Sequence, residues 1–340
     1  MLDVEDLLEY AEKLKEDNDT IKVSLFFVTR HLKKGVTANA KVMDKYDFHI
    51  TKAPIDPSIS SFFKEVLSNQ IISHASKDDI EMKRYTVIDD DIDNKIYAYA
   101  LNNAMSFSHV INSSIKSDQI PELNDLSDIQ NYLWAYCIKI QDGEEFTYSF
   151  RKIGKSKVTT NEPQTRLQKI SAMFDKTGGE LKEFDGNVIS FDDKIDCIYI
   201  NNEFYVFYKK SFESMVGLEE EFTEIAQKTL TIIKDLNIVE GLNILEEAIL
   251  YKPSLRKTLA KIAEKGNHAT LDSNIIQNMN NVLSKFEDRK FTHDSNGKII
   301  ISTMAEGRDF LRLLNDYYKQ GMTTQKYYTS DSGNLVNIVK

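Results

Sequence analysis

Residues 187–230, NVISFDDKIDCIYINNEFYVFYKKSFESMVGLEEEFTEIAQKTL, constrain the fold more than any other stretch, because they encode a strand pair and a helix back to back. Ile195, Cys197 and Tyr199 alternate with Asp196, Ile198 and Ile200, and after Asn201-Asn202 the run 204–208 is apolar on both faces. Two such runs around an Asx pair read as a β-hairpin. Ser211 is placed to cap a helix on which Phe222, Ile225, Ala226, Leu230 and Ile233 recur at helical spacing. Asp192 and Asp196 read as turn and strand-edge residues. The unit specifies a fold core, and no reaction is written in it.

The flanking sequence divides around it. Val4, Leu7, Leu8, Ala11 and Leu14 form the apolar stripe of an acidic helix over 3–17. Strands are expected over 21–29, 41–50 and 96–101, and helices over 59–71, begun near Pro57, and 107–115. A polar, acidic stretch at 77–93 reads as a solvated loop or exposed edge, and 116–128, with Pro121, as a connection. Further strands are expected at 132–140 and 146–153 around Gln141-Asp142-Gly143, a hairpin signal. Beyond 235 the periodicity is mostly helical, over 239–250, 253–265, 272–286 and 303–318, with one small strand at 298–302. The fold class is therefore α+β: an N-terminal mixed region (1–130), a central antiparallel β region with a packed helix (131–235), and a mostly helical C-terminal part (236–340).

Several chemistries are excluded or disfavoured. Gly154-Lys155-Ser156 resembles the end of a phosphate-binding loop, but Ser149 stands where the loop needs its first glycine and 158–161 reads as extended. The six histidines, His31, His49, His74, His109, His268 and His293, are dispersed without metal-ligand spacing. No catalytic residue, metal or cofactor is assigned. Cys137 and Cys197 lie in apolar strand-like runs and read as buried, reduced thiols. No apolar run reaches the roughly 20 residues needed to span a bilayer, so the chain is expected to be cytoplasmic. The alternating aromatics Phe146, Tyr148, Phe150, Phe204, Tyr205, Phe207 and Tyr208 read as core.

Charge points to two local patches. The formal net charge is −10, which argues against coating nucleic acid through an overall field. Yet residues 146–182 hold eight basic side chains, Arg151, Lys152, Lys155, Lys157, Arg166 and Lys169 among them, against three acidic. Residues 252–265 hold five against one; there Lys257, Lys261 and Lys265 fall at i, i+4 spacing, beside Arg256, while Leu255, Leu259 and Ile262 face inward. A row of that kind can track phosphates or form a solvated helix face.

The run FDDKIDCIYINNEFYVFYKKSFESMVG and the downstream DFLRLLNDYYKQGMTTQKYYTSDSG resemble the KwaB-like family, the soluble component of the bacterial Kiwa antiphage defence system. The likeness is clearest over 130–330 and rests on core positions such as Phe191, Ile195, Asp196, Phe212 and Leu314. It implies a cytoplasmic protein that binds DNA, forms a homo-oligomer and acts with a KwaA-like multi-pass membrane protein; a non-catalytic role and recruitment by that partner to the inner face of the membrane are the expectations adopted with it. On that implication Arg151, Lys152, Lys155, Lys157, Arg166, Lys169, Arg256, Lys257, Lys261 and Lys265 are the expected DNA contacts. One rival is a metal-dependent nuclease built on Asp185, Asp192 and Lys194. The other is a protein-interaction scaffold whose acidic faces, 3–17 and Glu219-Glu220-Glu221, dock on a basic partner.

Overall fold

A computed structural model describes residues 2–16, 20–36, 46–77, 80–87, 95–100, 120–154, 157–159, 172–175, 180–183, 186–287, 289–320, 327–329 and 335–336. The helix expected over 107–115 lies outside these. The fold is α+β. The chain separates into two compact units, Met1–Tyr85 with Asp91–Gly217, and Thr86–Asp90 with Leu218–Lys340.

The first unit is organised on an eight-stranded sheet. Its strands are β1 (Lys22–Leu32), β2 (Tyr46–Ala53), β3 (Glu81–Arg84), β4 (Lys95–Ala100), β5 (Leu133–Asp142), β6 (Glu145–Lys152), β11 (Cys197–Ile200) and β12 (Glu203–Val206). The order is β2-β1-β5-β6-β11-β12-β4-β3. Strands from residues 1–130 and from 131–235 thus hydrogen-bond within one sheet, so the expected boundary near 130 falls inside this unit. Four short strands, β7 (Val158–Thr159), β8 (Ala172–Asp175), β9 (Glu180–Glu183) and β10 (Val188–Ile189), pair as β7–β10 and β8–β9.

Two helices cover one sheet face. In α1 (Val4–Lys15), Asp3 and Asp6 form a reciprocal capping box, and Leu7, Ala11 and Leu14 are buried. In α2 (Pro57–Ala75), Asp56 accepts from the Ile59 N–H at 2.9 Å and Pro57 takes the first turn, where its missing N–H costs nothing. Phe63, Leu67 and Ile71 then pack with Leu25, Phe27, Tyr136 and Ile138. Burial of each such side chain contributes about 1.5–3 kcal/mol. The strand periodicity puts Phe26, Val28 and Cys137 on the opposite face, also buried, so β1 and β5 are apolar on both faces. A one-turn helix, α3 (Ser127–Gln130), leads into β5.

The hairpin read from 187–230 is β11–β12, with Asn201 and Asn202 both at positive φ (51° and 65°), as a two-residue type I′ turn requires. Beyond the hairpin the chain forms two helices in place of the expected single helix capped by Ser211. Tyr208 is the N-cap of α4 (Lys209–Val216), Ser211 lies inside it, and Gly217 (φ 77°) ends it before α5 (Leu218–Asp235). The left-handed φ breaks the helix where the apolar period alone predicts continuity. Phe212 of α4 packs on Tyr99 and Phe204, with ring centroids 5.4 and 5.5 Å away, against the second sheet face.

The second unit is mostly helical: α5, α6 (Asn243–Ala248), α7 (Pro253–Lys265), α8 (Ser273–Glu287) and α9 (Met304–Leu314). Where one small strand was expected, β13 (Val239–Glu240), β14 (Thr292–His293) and β15 (Ile299–Ile300) form a sheet in the order β13-β15-β14. Leu230, Ile233, Leu245, Leu259, Ile262, Ile299, Phe310 and Leu314 make the core. After α9, Asp316 at φ 56° turns the chain, so the helix expected to reach 318 stops at Leu314. Three strands, β16 (Tyr318–Gln320), β17 (Tyr327–Thr329) and β18 (Leu335–Val336), come next.

Candidate nucleic-acid interface

The basic residues expected in the first unit sit around a buried carboxylate. Asp196 precedes β11, its N–H donates to the Phe150 carbonyl at 2.8 Å, and it is 0% exposed. Its carboxylate accepts from Arg151 Nη1 at 2.7 Å, from the Lys152 N–H at 2.6 Å and from the Ser211 hydroxyl. Arg151 also donates to both oxygens of Asp192, at 3.0 Å from Nε and 2.8 Å from Nη2. Asp196 is therefore a buried centre linking β6, the approach to β11 and α4, rather than a strand-edge residue. Ser211 reaches it because α4 starts two residues earlier than the expected cap.

Electrostatics separate the two acids. Burial pushes the Asp196 carboxyl above the ordinary range, against the Lys152 N–H bond and the Arg151 charge, which favour the anion. Asp192 is also partly buried, but the Arg151 bonds, and then the Arg151 and Lys157 charges, outweigh burial and hold its carboxyl below the ordinary range. Burial works against the Arg151 charge, and the two carboxylates reverse that, raising its value. This guanidinium is committed to two carboxylates and has little left for a phosphate.

The neighbours of Arg151 are partly engaged. Lys152 Nζ lies 2.5 Å from Ser214 Oγ, and Lys157 Nζ lies 3.5 Å from Asp192, with its side chain 36% exposed. Lys155, Arg166 and Lys169 lie outside the described residues, as does Asp185 of the nuclease alternative. Asp192, the other acid of that alternative, has both oxygens occupied by Arg151.

In the second unit α7 has the expected register, with Leu255, Leu259 and Ile262 buried. Two of its cations serve the backbone. Arg256 donates to the carbonyls of Ile249 and Leu250 at 2.5 and 2.6 Å, closing the end of α6, and Lys265 donates to the Asn315 carbonyl at 2.8 Å. Lys257 and Lys261 lie on the half-exposed side of α7.

Lys261 also lines a groove of about 240 Å³, together with Lys252, Thr258, Arg308, Arg312 and Tyr317. Among the described residues, no Asp or Glu lines it. Arg312 lies 3.5 Å from Asp309 and 3.9 Å from Glu287, and its guanidinium stands 4.9 Å from the Tyr317 ring centroid. Burial pushes the Asp309 carboxyl up, opposed by the charge of Arg289, whose Nη1 lies 3.0 Å away. Arg308 is exposed and makes no ion pair among the described residues. The packing of α7 against α9 thus joins two cations of the expected patch region, Lys252 and Lys261, to Arg308 and Arg312. Sequence reasoning missed the latter pair, although their i, i+4 spacing on α9 was visible.

A family model for the Kiwa protein KwaB-like family matches residues 130–323. The match spans the Arg151–Asp192–Asp196 cluster and the groove. No curated protein and no solved structure matches the chain.

Proposed function

Since the chain belongs to the Kiwa protein KwaB-like family, which carries a role in antiphage defence, we propose that it acts by binding DNA through the basic groove of its second unit. The observation that carries this reading is the gathering of Lys252, Lys261, Arg308 and Arg312 around one concavity whose lining, among the described residues, includes no Asp or Glu, in a chain of net charge −10. Local positive potential of this kind is what phosphate contact requires, whatever the net charge. Lys257 on α7, and Lys152 and Lys157 of the first unit, are secondary contacts. Arg151, Arg256 and Lys265 are left out, because carboxylates or backbone carbonyls already take their donors. The reading includes self-association and a multi-pass membrane partner, and it assigns no chemical step to the chain.

Among the described residues, no helix is long and apolar enough to cross a membrane. Membrane recruitment therefore falls to the partner in this reading, and co-purification of the two proteins from membranes checks it. The DNA contact is tested by fluorescence anisotropy with a duplex over a salt series. Each phosphate neutralised contributes about −0.9 to the slope of log K against log salt, so Lys252→Glu with Arg308→Glu is expected to flatten the slope by about 2. An unchanged slope and affinity would remove the groove from the interface.

A further inference from the structure

We propose that the groove between α7 and α9 receives a phosphomonoester carried on a nucleoside, the group presented by a 5′-phosphorylated strand end or a free mononucleotide. This rests on the nucleic-acid reading and adds which phosphate is bound. Lys252, Lys261, Arg308 and Arg312 converge on a single concavity of about 240 Å³. A phosphodiester inside a strand carries one negative charge, and successive diesters are matched by cations laid out in a row. A monoester concentrates a charge of about −1.5 to −2 and three strong acceptor oxygens in one group. Four cations around one small volume match the second pattern.

Size points the same way. Sites that enclose drug-sized ligands measure roughly 300–1,000 Å³, and this smaller concavity has room for a phosphate with its sugar. The cations also differ in how they are held. Asp309 and Glu287 position Arg312, and Tyr317 lies against its guanidinium. Arg308, exposed and without an ion pair among the described residues, has its donors available to a ligand. Half-exposed Tyr317 adds an aromatic surface to the groove wall, suited to the sugar or base attached to a terminal phosphate.

The test uses the full chain and two single-stranded oligonucleotides of one sequence, labelled at the 3′ end and bearing either a 5′-phosphate or a 5′-hydroxyl. At pH 8 the phosphorylated strand is expected to bind about tenfold more tightly or better, and the preference should shrink below about pH 6, as the monoester takes up its second proton. Lys252→Gln with Arg308→Gln should abolish the preference. The comparison between the two strands on the unsubstituted protein does not depend on how that variant folds. Competition by a deoxynucleoside 5′-monophosphate would identify the free nucleotide as a ligand, and a preference it cannot compete away would identify the strand end. Equal binding of both oligonucleotides would overturn this inference and leave the nucleic-acid reading standing. Binding of none of the three, neither oligonucleotide nor the monophosphate, would overturn both.

Discussion

Replacing Arg151 with methionine isolates the buried ion cluster of the first unit. The substitution keeps an unbranched apolar stem and deletes three hydrogen bonds, two to Asp192 and one to Asp196. Asp192, with its side chain 24% exposed, can rehydrate, whereas Asp196 at 0% cannot. Asp196 keeps the Lys152 N–H and the Ser211 hydroxyl but loses its charged partner. Removing one member of a buried pair costs about 3–5 kcal/mol, and the 16% exposure of the Arg151 side chain places this case near 3. Adding Asp196→Asn removes the uncompensated charge while the amide oxygen still accepts from Lys152. The double variant should therefore recover about 1–2 kcal/mol of that loss.

The same pair has a signed pH dependence. The folded-state value of Asp196 lies above its unfolded one, so its contribution is full below the unfolded value and fades as pH rises through the folded one. Asp192 is depressed and behaves oppositely, stabilising above its unfolded value and losing that as pH falls through the folded one. Loss of Arg151 raises Asp196 further and releases Asp192. The Arg151→Met penalty should be largest at neutral pH and narrow on acidification. Urea unfolding monitored by Trp134, the single tryptophan and a residue of β5, reads this unit directly. With a slope of about 1–3 kcal/mol per molar, the midpoint should fall by about 1 M or more. A penalty below about 1 kcal/mol, or a double variant no better than the single one, would refute the reasoning.

Two further substitutions or reagents probe the packing. Gly241 sits at φ 80°, and an added Cβ would overlap the Ile301 carbonyl, so Gly241→Ala should cost more than about 3 kcal/mol. Hydrogen exchange over residues 238–301 should rise in that variant. Burial raises the Cys137 and Cys197 thiols far from their reactive range, so neither should react with an aromatic disulfide reagent in the native protein, and both should react in urea.

Local signals accounted for many elements of the fold, but not for the breaks at Gly217 and Asp316, the β13–β15 sheet or the assignment of its charges. Helix α7 was legible because Leu255, Leu259 and Ile262 repeat at helical spacing behind Pro253, and the Asn201-Asn202 turn because few other residues accept two successive positive φ values. The role of Arg151 was not, since its partners lie 41 and 45 residues away and Asp196 hides inside an apolar run. Lys209 gave no signal either, yet it is 1% exposed with its ammonium 4.9 Å from the rings of both Tyr85 and Tyr97. The groove escaped notice for a related reason. Glu306 and Asp309 neutralise the local charge around Arg308 and Arg312, so no composition window reveals them, and only the packing of α7 on α9 brings them beside Lys252 and Lys261.

The most direct test of the account compares two variants in one DNA-binding assay at fixed salt, Arg151→Met and Arg308→Glu combined with Lys252→Glu, with folding of each verified by circular dichroism and by Trp134 fluorescence. The groove variant is expected to lose about tenfold or more in affinity, while folded Arg151→Met binds within about twofold of the unsubstituted protein. Loss of binding in Arg151→Met with the groove variant unaffected would contradict it.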